Sequence, residues 1–147
     1  MIRAGKVMVH FFRSSVGNRR RPKKSLGQHF RVDGRIVDRI VGLADIGEDD
    51  RILEIGPGRG ILTERLAALA GDVVAVELDR DLASGLRVQF FNSPNVRIIE
   101  GDILECDMSG VFSGYDGLIK VVSNIPYNIS TPIVELLNRC HARIERA

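Results

Sequence analysis

The sequence has no long apolar run. No stretch approaches the roughly 20 consecutive apolar residues that a membrane helix requires, and no segment combines the charge, apolar run and small-residue cleavage site of a signal peptide. With 147 residues, 44% of them hydrophobic, the chain is long enough for one soluble domain with its own core. We expect a monomeric, cytoplasmic protein with no membrane partner.

Cysteine is scarce as well. Cys106 and Cys140 are the two cysteines, and they lie far apart, without the close pairing of a zinc knuckle or a redox motif. His10 and His141 have no neighbours in the sequence that would complete a metal site. We therefore expect both cysteines to be reduced thiols, and we predict no metal.

Acidic residues are missing from the first 32 positions, which carry nine lysines and arginines. The rest of the chain holds 12 basic residues against 19 acidic ones, so the net charge of +2 hides a positive N-terminal arm. Such an arm attracts phosphate groups and releases counterions when it binds nucleic acid. Two other interpretations stay open: a solvated tail, and a transit peptide that would direct the protein to mitochondria. We assign residues 1–24 to a basic, disordered arm and residues 25–147 to a folded domain.

Helical and strand patterns alternate after the arm. From Asp33, which can act as an N-cap, the apolar residues up to Ala44 follow helical spacing. Further along, β-branched runs predict strands at 51–55, 72–78, 95–100 and 117–124, and amphipathic segments predict helices at 61–70, 80–91 and 131–140. This alternation predicts an α/β fold with a doubly wound, mostly parallel sheet.

The first of these strands leads into the sequence EIGPGRG. Gly56, Gly58 and Gly60 permit a tight turn, and the helix that starts near Ile61 points its positive end at the same place. The spacing differs from the dinucleotide fingerprint G-x-G-x-x-G because Ile61 stands where the last glycine would be. Ligands of such sheets bind beyond the carboxyl ends of the strands. The turn therefore indicates a nucleotide-like ligand, with a purely structural turn as the alternative.

Acidic residues follow the next two strands. Glu77 stands 21 residues after Gly56, about where a carboxylate accepts hydrogen bonds from ribose hydroxyls in this class of site. Asp102 ends the segment EGD, where it can accept a hydrogen bond from an adenine amino group. Each alone is equally well a surface acid, but together with the glycines they predict an adenosine pocket. ATP hydrolysis has little support, since the sequence has no P-loop lysine pattern.

The fourth strand ends in SNIPYNIST. In isolation, such a motif is a structural Asn-Pro turn with Tyr127 in the core about as often as it is a functional site. Together with KKSLGQHF, EIGPGRG, VELD and EGD, it resembles the ribosomal RNA adenine N6-dimethyltransferase family over about residues 23–138. The resemblance implies a Rossmann-like methyltransferase fold, S-adenosyl-L-methionine as cofactor and ribosomal RNA as partner. It also implies dimethylation of the exocyclic amine of adenosine.

The resemblance further implies the roles of particular residues. It places the cofactor against Gln28, His29, Arg31, Gly56, Gly58, Glu77, Asp102 and Asn124. Arg31 departs from the family pattern, because relatives usually have an apolar residue there. The target base is received by the stretch from Asn124 to Tyr127.

The chemistry of the substrate gives a reason for that stretch. The lone pair of an adenine amine is delocalised into the ring, so the enzyme has to turn it toward the methyl group. The side-chain oxygen of Asn124 and the main-chain carbonyl of Ile125 can accept hydrogen bonds from the two amine N–H groups, while Pro126 restricts the backbone. Tyr127 stacks on the base and holds it in line. Positioning then supplies most of the acceleration, and no strong general base is required.

Several alternatives stay open at this stage. The run KVVSN and Pro132 favour the small-subunit enzymes, whereas Ile125 also fits large-subunit methylases of the macrolide-resistance type. A non-catalytic RNA-binding or ribosome-assembly factor that keeps the fold is the main competitor. An NAD-dependent oxidoreductase is disfavoured by Ile61. The chain stops at Ala147, before the further strands and helical domain that such enzymes carry. We therefore expect a truncated protein whose sheet has an open edge beside the fourth strand.

Overall fold

The computed structural model describes residues 8–11, 34–112, 114–115, 119–123, 131–137 and 139. Its strands are β1 (Met8–Phe11), β2 (Arg51–Ile55), β3 (Asp72–Glu77), β4 (Val96–Glu100) and β5 (Ile119–Ser123). Its helices are α1 (Gly34–Ala44), α2 (Ile61–Ala67), α3 (Arg80–Gln89) and α4 (Met108–Phe112), and residues 131–137 form a further helical segment, α5.

The strands form one parallel sheet in the order β1-β5-β2-β3-β4. Ile55 of β2 lies beside Val76 of β3 and Ser123 of β5, so these three strands end at the same level. Glu77 of β3 lies beside Glu100 of β4 in the same way. The predicted doubly wound, parallel α/β fold is confirmed. The carboxyl ends of the strands lie together at one end of the sheet, and their amino ends lie at the other.

Apolar side chains cover both faces of the sheet. On one face, β2, β3 and β5 pack against buried residues of α1 and α2, among them Val37, Ile40 and Leu66. On the other face, the same strands pack against Met108 of α4 and Ile133 of α5. Burial on both faces explains why the apolar residues of these three strands occur at consecutive positions and do not simply alternate with polar ones.

The helices are shorter than their sequence patterns predicted. α2 ends at Ala67 rather than at residue 70, and α3 ends at Gln89 rather than at residue 91. The apolar pattern runs on because Ala70 and Phe90 are buried in the turns that follow. Helix α4 had no counterpart in the prediction, since five residues are too few to show a helical apolar stripe.

Strand β1 differs from what the sequence predicts for the N-terminal arm. A disordered arm was expected over residues 1–24, with an open edge beside β5, whereas Met8–Phe11 pair in parallel with residues 120–123. The outer backbone groups of an edge strand favour pairing with any extended segment that reaches them, and MVHF is rich in residues that suit a strand. The rest of the arm lies outside the described residues.

The amino end of the sheet is held by ion pairs. The Nε of Arg51 lies 2.6 Å from a carboxylate oxygen of Asp72, and the guanidinium stacks 4.5 Å from the ring centre of Tyr115. The ammonium of Lys120, a buried residue of β5, lies 2.7 Å from a carboxylate oxygen of Asp50. These contacts tie the loops at this end to the strands.

Candidate functional site

A glycine turn joins β2 to α2 at the carboxyl end of the sheet. Gly56, Gly58 and Gly60 all have positive φ angles, of 70°, 60° and 79°, which side chains other than glycine rarely adopt. The N–H of Gly56 donates to the carbonyl of Val76, and the N–H of Gly60 donates to the carbonyl of Pro57, each at 3.0 Å. The predicted tight turn is present, and β3 anchors its first residue.

Two of the glycines have different surroundings. A Cβ atom built on Gly60 would lie 2.7 Å from Leu86 and 2.9 Å from Phe90, because α3 packs directly against the turn. A Cβ atom on Gly58 would have no neighbour within 4 Å. Gly60 is therefore required by packing, whereas Gly58 faces open space into which a ligand can approach the backbone.

The Glu77 side chain connects the turn to β3. It is 7% exposed; one carboxylate oxygen accepts a hydrogen bond from the N–H of Gly58 and the other from the N–H of Asp79, both at 3.0 Å. A carboxylate has about four acceptor positions, so each oxygen keeps capacity for another donor. The fixed orientation suits recognition of a pair of ribose hydroxyls.

Asp102 lies next to Glu77, after the end of β4. The N–H of Gly101 donates to the main-chain carbonyl of Glu77 at 2.9 Å, which holds the two strand ends together. Oδ1 of Asp102 accepts a hydrogen bond from the N–H of Leu104 at 2.9 Å, and the residue is partly exposed. The structure therefore brings together Gly56, Gly58, Glu77 and Asp102, four of the predicted cofactor residues.

A buried hydroxyl fixes where β5 ends. The Oγ of Ser123 donates to the main-chain carbonyl of Ile55 at 3.0 Å, and Ser123 is fully buried. The end of β5 is therefore held against the end of β2, where the glycine turn begins. The predicted residues Gln28, His29, Arg31, Asn124, Ile125, Pro126 and Tyr127 themselves lie outside the described residues.

Glu54 is a buried acidic residue near the candidate site that the sequence pattern did not single out. It lies in β2 and is 1% exposed, on the face of the sheet that packs against α1 and α2. Burial raises the pKa of Glu54 to about 7; the hydroxyl of Thr63 lowers it in part, and the charge of Glu77 raises it further. The signal in the sequence was an acidic residue inside a buried strand, RILEI.

The described residues contain no group of three or more histidine, cysteine or acidic side chains arranged to hold a metal ion. Cys106 is a free thiol that is partly buried. No helix within the described ranges has the length and apolar character needed to cross a membrane.

The residues at this end fit a nucleoside cofactor. Gly58 leaves room against the backbone, the Glu77 carboxylate has free acceptor positions, and Asp102 adds a carboxylate at the adjoining strand end. Three neighbouring parallel strands thus present one acceptor surface, as expected for ligands bound beyond the carboxyl ends of such a sheet.

Comparison with known sequences supports this assignment. A sequence model of the family described as "Ribosomal RNA adenine dimethylase" matches residues 19–146. A protein from Synechococcus sp. (strain WH7803), named "Ribosomal RNA small subunit methyltransferase A", is 50% identical over 117 residues, which are 79% of this chain and 41% of that protein. The protein of the same name from Geobacter metallireducens is 49% identical over 78% of this chain and 42% of its own length. The chain thus spans about two fifths of the curated relatives that it matches.

Solved structures agree on the fold. A dimethyladenosine transferase from Plasmodium falciparum is 32% identical with a TM-score of 0.62, over 73% of this chain and 37% of that one. The 23S rRNA methyltransferase ErmE is 33% identical with a TM-score of 0.61, over 70% and 40%. An RNA methyltransferase from Salinibacter ruber, in complex with S-adenosyl-L-homocysteine, is 25% identical with a TM-score of 0.54, over 70% and 68%. This chain therefore belongs to the ribosomal RNA adenine dimethylase family, whose methyl donor is S-adenosylmethionine.

Proposed function

We propose that this chain contains the cofactor site and the target-base motif of an S-adenosylmethionine-dependent enzyme that dimethylates the exocyclic amine of adenosines in small-subunit ribosomal RNA. The hydrogen bond from Ser123 to the carbonyl of Ile55 is the observation that carries the proposal. It holds the end of β5, after which the NIPY motif follows in the sequence, against the end of β2. This supports a meeting of the methyl donor and the acceptor base at this end of the sheet. Residues 25–147 are proposed as the methyltransferase domain.

The cofactor residues act by binding and orientation. Glu77 would hold the ribose, Asp102 the adenine, and the glycine turn would let the cofactor lie against the backbone. Gln28, His29 and Arg31 are proposed at the methionine end, as family resemblance implies. When bound, S-adenosylmethionine supplies an activated methyl group with a good leaving group.

The target adenosine is proposed to bind at residues Asn124 to Tyr127. The oxygens of Asn124 and Ile125 would accept hydrogen bonds from the amine and turn its lone pair toward the methyl group, while Pro126 restrains the backbone. Tyr127 would stack on the base. Because orientation of the two reactants is worth up to about 7–11 kcal/mol, this arrangement needs no strong general base.

Sequence identity favours the small subunit as the source of the substrate. The two curated relatives described above, 49–50% identical to this chain, are both named as small-subunit methyltransferases. A test is tritium transfer from labelled cofactor into immature small subunits and into naked large-subunit RNA. Label in the large-subunit RNA alone would contradict the choice of substrate.

Replacement of Asn124 tests the catalytic part of the proposal. We expect Asn124→Ala to lower turnover by about 10²–10³, the effect of losing one aligned hydrogen-bonding group in a reaction centre. RNA affinity should change little, because the amide is proposed to contact a single base of the RNA. Asn92→Ala, which changes the same residue type at an exposed turn after α3, is the matched control. Equal turnover in the two variants would exclude the proposed role.

The main competing function is a non-catalytic RNA-binding or ribosome-assembly factor, favoured by the nine basic residues among the first 32. The discriminating result is tight RNA binding with a steep salt dependence and no methyl transfer.

Calorimetric titration with S-adenosylmethionine and with NAD tests the cofactor directly; binding of NAD alone would overturn the proposal. A monomeric state and a cytoplasmic location belong to the same proposal, and size-exclusion chromatography with light scattering tests the former.

A further inference from the structure

Asp79 joins the candidate cofactor site to helix α3. Its main-chain N–H donates to one carboxylate oxygen of Glu77 at 3.0 Å. Its side chain is the N-cap of α3, where Oδ1 accepts hydrogen bonds from the N–H groups of Asp81 and Leu82 at 2.9 and 3.0 Å. A side-chain oxygen at an N-cap satisfies main-chain donors that have no partner inside the helix. One residue therefore fixes both the start of α3 and one side of the Glu77 carboxylate.

Helix α3 also reaches the glycine turn. Leu86 of α3, and Phe90 at its end, lie so close to Gly60 that a Cβ atom built there would be 2.7 and 2.9 Å from them. The N–H of Gly58, in the same turn, donates to the second carboxylate oxygen of Glu77 at 3.0 Å. The contacts thus form a closed ring that runs from Glu77 through α3 to the turn and back to Glu77. Both oxygens of this carboxylate are held by main-chain groups whose positions depend on α3.

The N–H of Asp79 is held in place by the start of the helix. The backbone at the N-cap is extended, with φ −78° and ψ 119°, and the carbonyl of Asp79 accepts a hydrogen bond from the N–H of Ala83 at 2.9 Å. Loss of the side-chain acceptor would leave N–H groups of the first turn without that partner, and the turn would fray. The peptide between Leu78 and Asp79, which carries the N–H bound to Glu77, could then rotate. Glu77 would lose one of its two orienting hydrogen bonds.

We propose that Asp79 is a positioning residue, which orients the Glu77 carboxylate toward the ribose hydroxyls of the cofactor. This inference rests on the proposed cofactor site. Asp79 acts through Glu77, because its own Oδ1 is already bound by two N–H groups of α3. A carboxylate that is held in one orientation loses less conformational entropy on binding than one that rotates freely. Removal of the cap therefore lowers the affinity for ligands that carry the two hydroxyls.

Affinity for two ligands tests the inference. Calorimetry compares S-adenosylhomocysteine with its 2′,3′-dideoxy form, which lacks the hydroxyls assigned to Glu77. Asp79→Ala should weaken binding of the first ligand about tenfold and binding of the second less than about twofold. An unchanged affinity for S-adenosylhomocysteine would overturn the inference alone, and so would an equal or larger loss for the dideoxy ligand. An unmodified chain that binds neither ligand would overturn the proposed function and, with it, the role of Asp79.

Two further substitutions separate the cap from the fold and from the charge. Asparagine caps helices about as well as aspartate, so Asp79→Asn should keep the affinity within about twofold of that of the unmodified chain. An Asn variant as weak as Asp79→Ala would mean that the charge acts on the cofactor directly, and would contradict a role through the cap. Glycine is also tolerated at N-caps but frees the backbone, so Asp79→Gly should fold and still show the selective loss. Equal losses for both ligands in this variant would contradict the proposal. Urea denaturation verifies that each variant is folded.

Asp107→Ala is the matched control. Oδ1 of Asp107 accepts a hydrogen bond from the N–H of Ser109 at the start of α4, at 3.1 Å, so the variant removes the same kind of contact from a helix outside the ring around Glu77. The affinity for both ligands should stay within about twofold of that of the unmodified chain. A selective loss for S-adenosylhomocysteine in this variant as well would show that any weakened helix start has the effect, and would contradict a specific role of Asp79.

A double-mutant cycle tests whether Asp79 acts through Glu77. In the Glu77→Ala background the carboxylate that is to be oriented is absent, so the addition of Asp79→Ala should change the affinity for S-adenosylhomocysteine by less than about twofold. Losses that multiply in the double variant would mean that Asp79 contributes independently of Glu77, and they would overturn the positioning role.

Discussion

The two ends of the sheet differ in the groups that contact their buried charged side chains. At the amino end, Lys120 meets Asp50 at 2.7 Å, and Arg51 meets Asp72 at 2.6 Å. At the carboxyl end, Glu77 accepts hydrogen bonds from main-chain N–H groups, and Glu54 keeps an unpartnered carboxylate oxygen within the described part of the chain. One end has its charges neutralised by side chains, and the other leaves acceptors available.

This difference separates stability from function. A paired charge at the amino end is neutralised by another side chain of the protein, so it contributes to holding the loops to the strands. An acceptor held only by main-chain donors has capacity left for a ligand, and its surroundings stay negative. We infer that variants at the amino end change the folding stability with little effect on cofactor affinity. Variants at the carboxyl end should change cofactor affinity, either alone or together with the folding stability.

The largest effect on stability is expected from breaking the buried pair at the amino end. Lys120→Met keeps the apolar stem of the side chain but leaves Asp50, whose side chain is 12% exposed, without its cation. It also removes the donor to the main-chain carbonyl of Asp45. Loss of one partner of a buried pair costs about 3–5 kcal/mol, which urea denaturation would measure.

The double variant Lys120→Met with Asp50→Asn is the control for this pair. It removes the uncompensated charge, so we expect it to recover a substantial part of the lost stability. Cofactor affinity of the folded single variant should equal that of the unmodified chain. A single-variant loss under about 1 kcal/mol, or a matching loss of cofactor affinity, would contradict the separation between the two ends.

A second contrast lies within the glycine turn. Gly60→Ala places a methyl group against Leu86 and Phe90 and forces a positive φ angle, so we expect a loss of about 2–3 kcal/mol from strain and overpacking together. Gly58→Ala meets open space and should cost only about 1–2 kcal/mol for its φ angle. Thermal denaturation measures both.

Cofactor affinity should reverse the order of these two variants. The methyl group of Gly58→Ala projects into the space assigned to the cofactor, so it should weaken binding more than Gly60→Ala does in the folded fraction. Equal affinities would mean that the space beside Gly58 is not the cofactor site.

The fold was predictable from the sequence because its signals are local. The runs at β2 and β3 and the glycine turn between them follow from β-branched residues and from glycine spacing, and relatives confirm the class. The position of Glu77 and Asp102 at neighbouring strand ends was predictable because topology places the ends of parallel strands together. Contacts between distant segments were not: the clash between a side chain on Gly60 and α3, and the pairing of β1 with β5, have no local pattern.

Glu54 shows the limit most clearly. Its position inside a buried strand was visible in RILEI. A charged residue in a buried strand can, however, belong to an ion pair, as Lys120 of β5 does with Asp50 at the other end of the sheet. Whether a buried charge is paired depends on which residues of other elements face it. That information exists only in the packed structure, so the raised pKa of Glu54 could not be predicted from the sequence.

The smallest effect is expected at an ion pair of the carboxyl end that lies on the surface. Arg87 of α3 and Glu100 of β4 meet at 3.2 Å, with side chains 47% and 37% exposed. Solvent and salt screen such a pair, so a double-mutant cycle of Arg87→Ala and Glu100→Ala should give a coupling of about 0.5 kcal/mol or less, falling further at 1 M salt. A coupling of about 2 kcal/mol or more would mean that an ion pair holds this end as well. The difference between the two ends of the sheet would then lie in burial alone, because charge pairing would stabilise both.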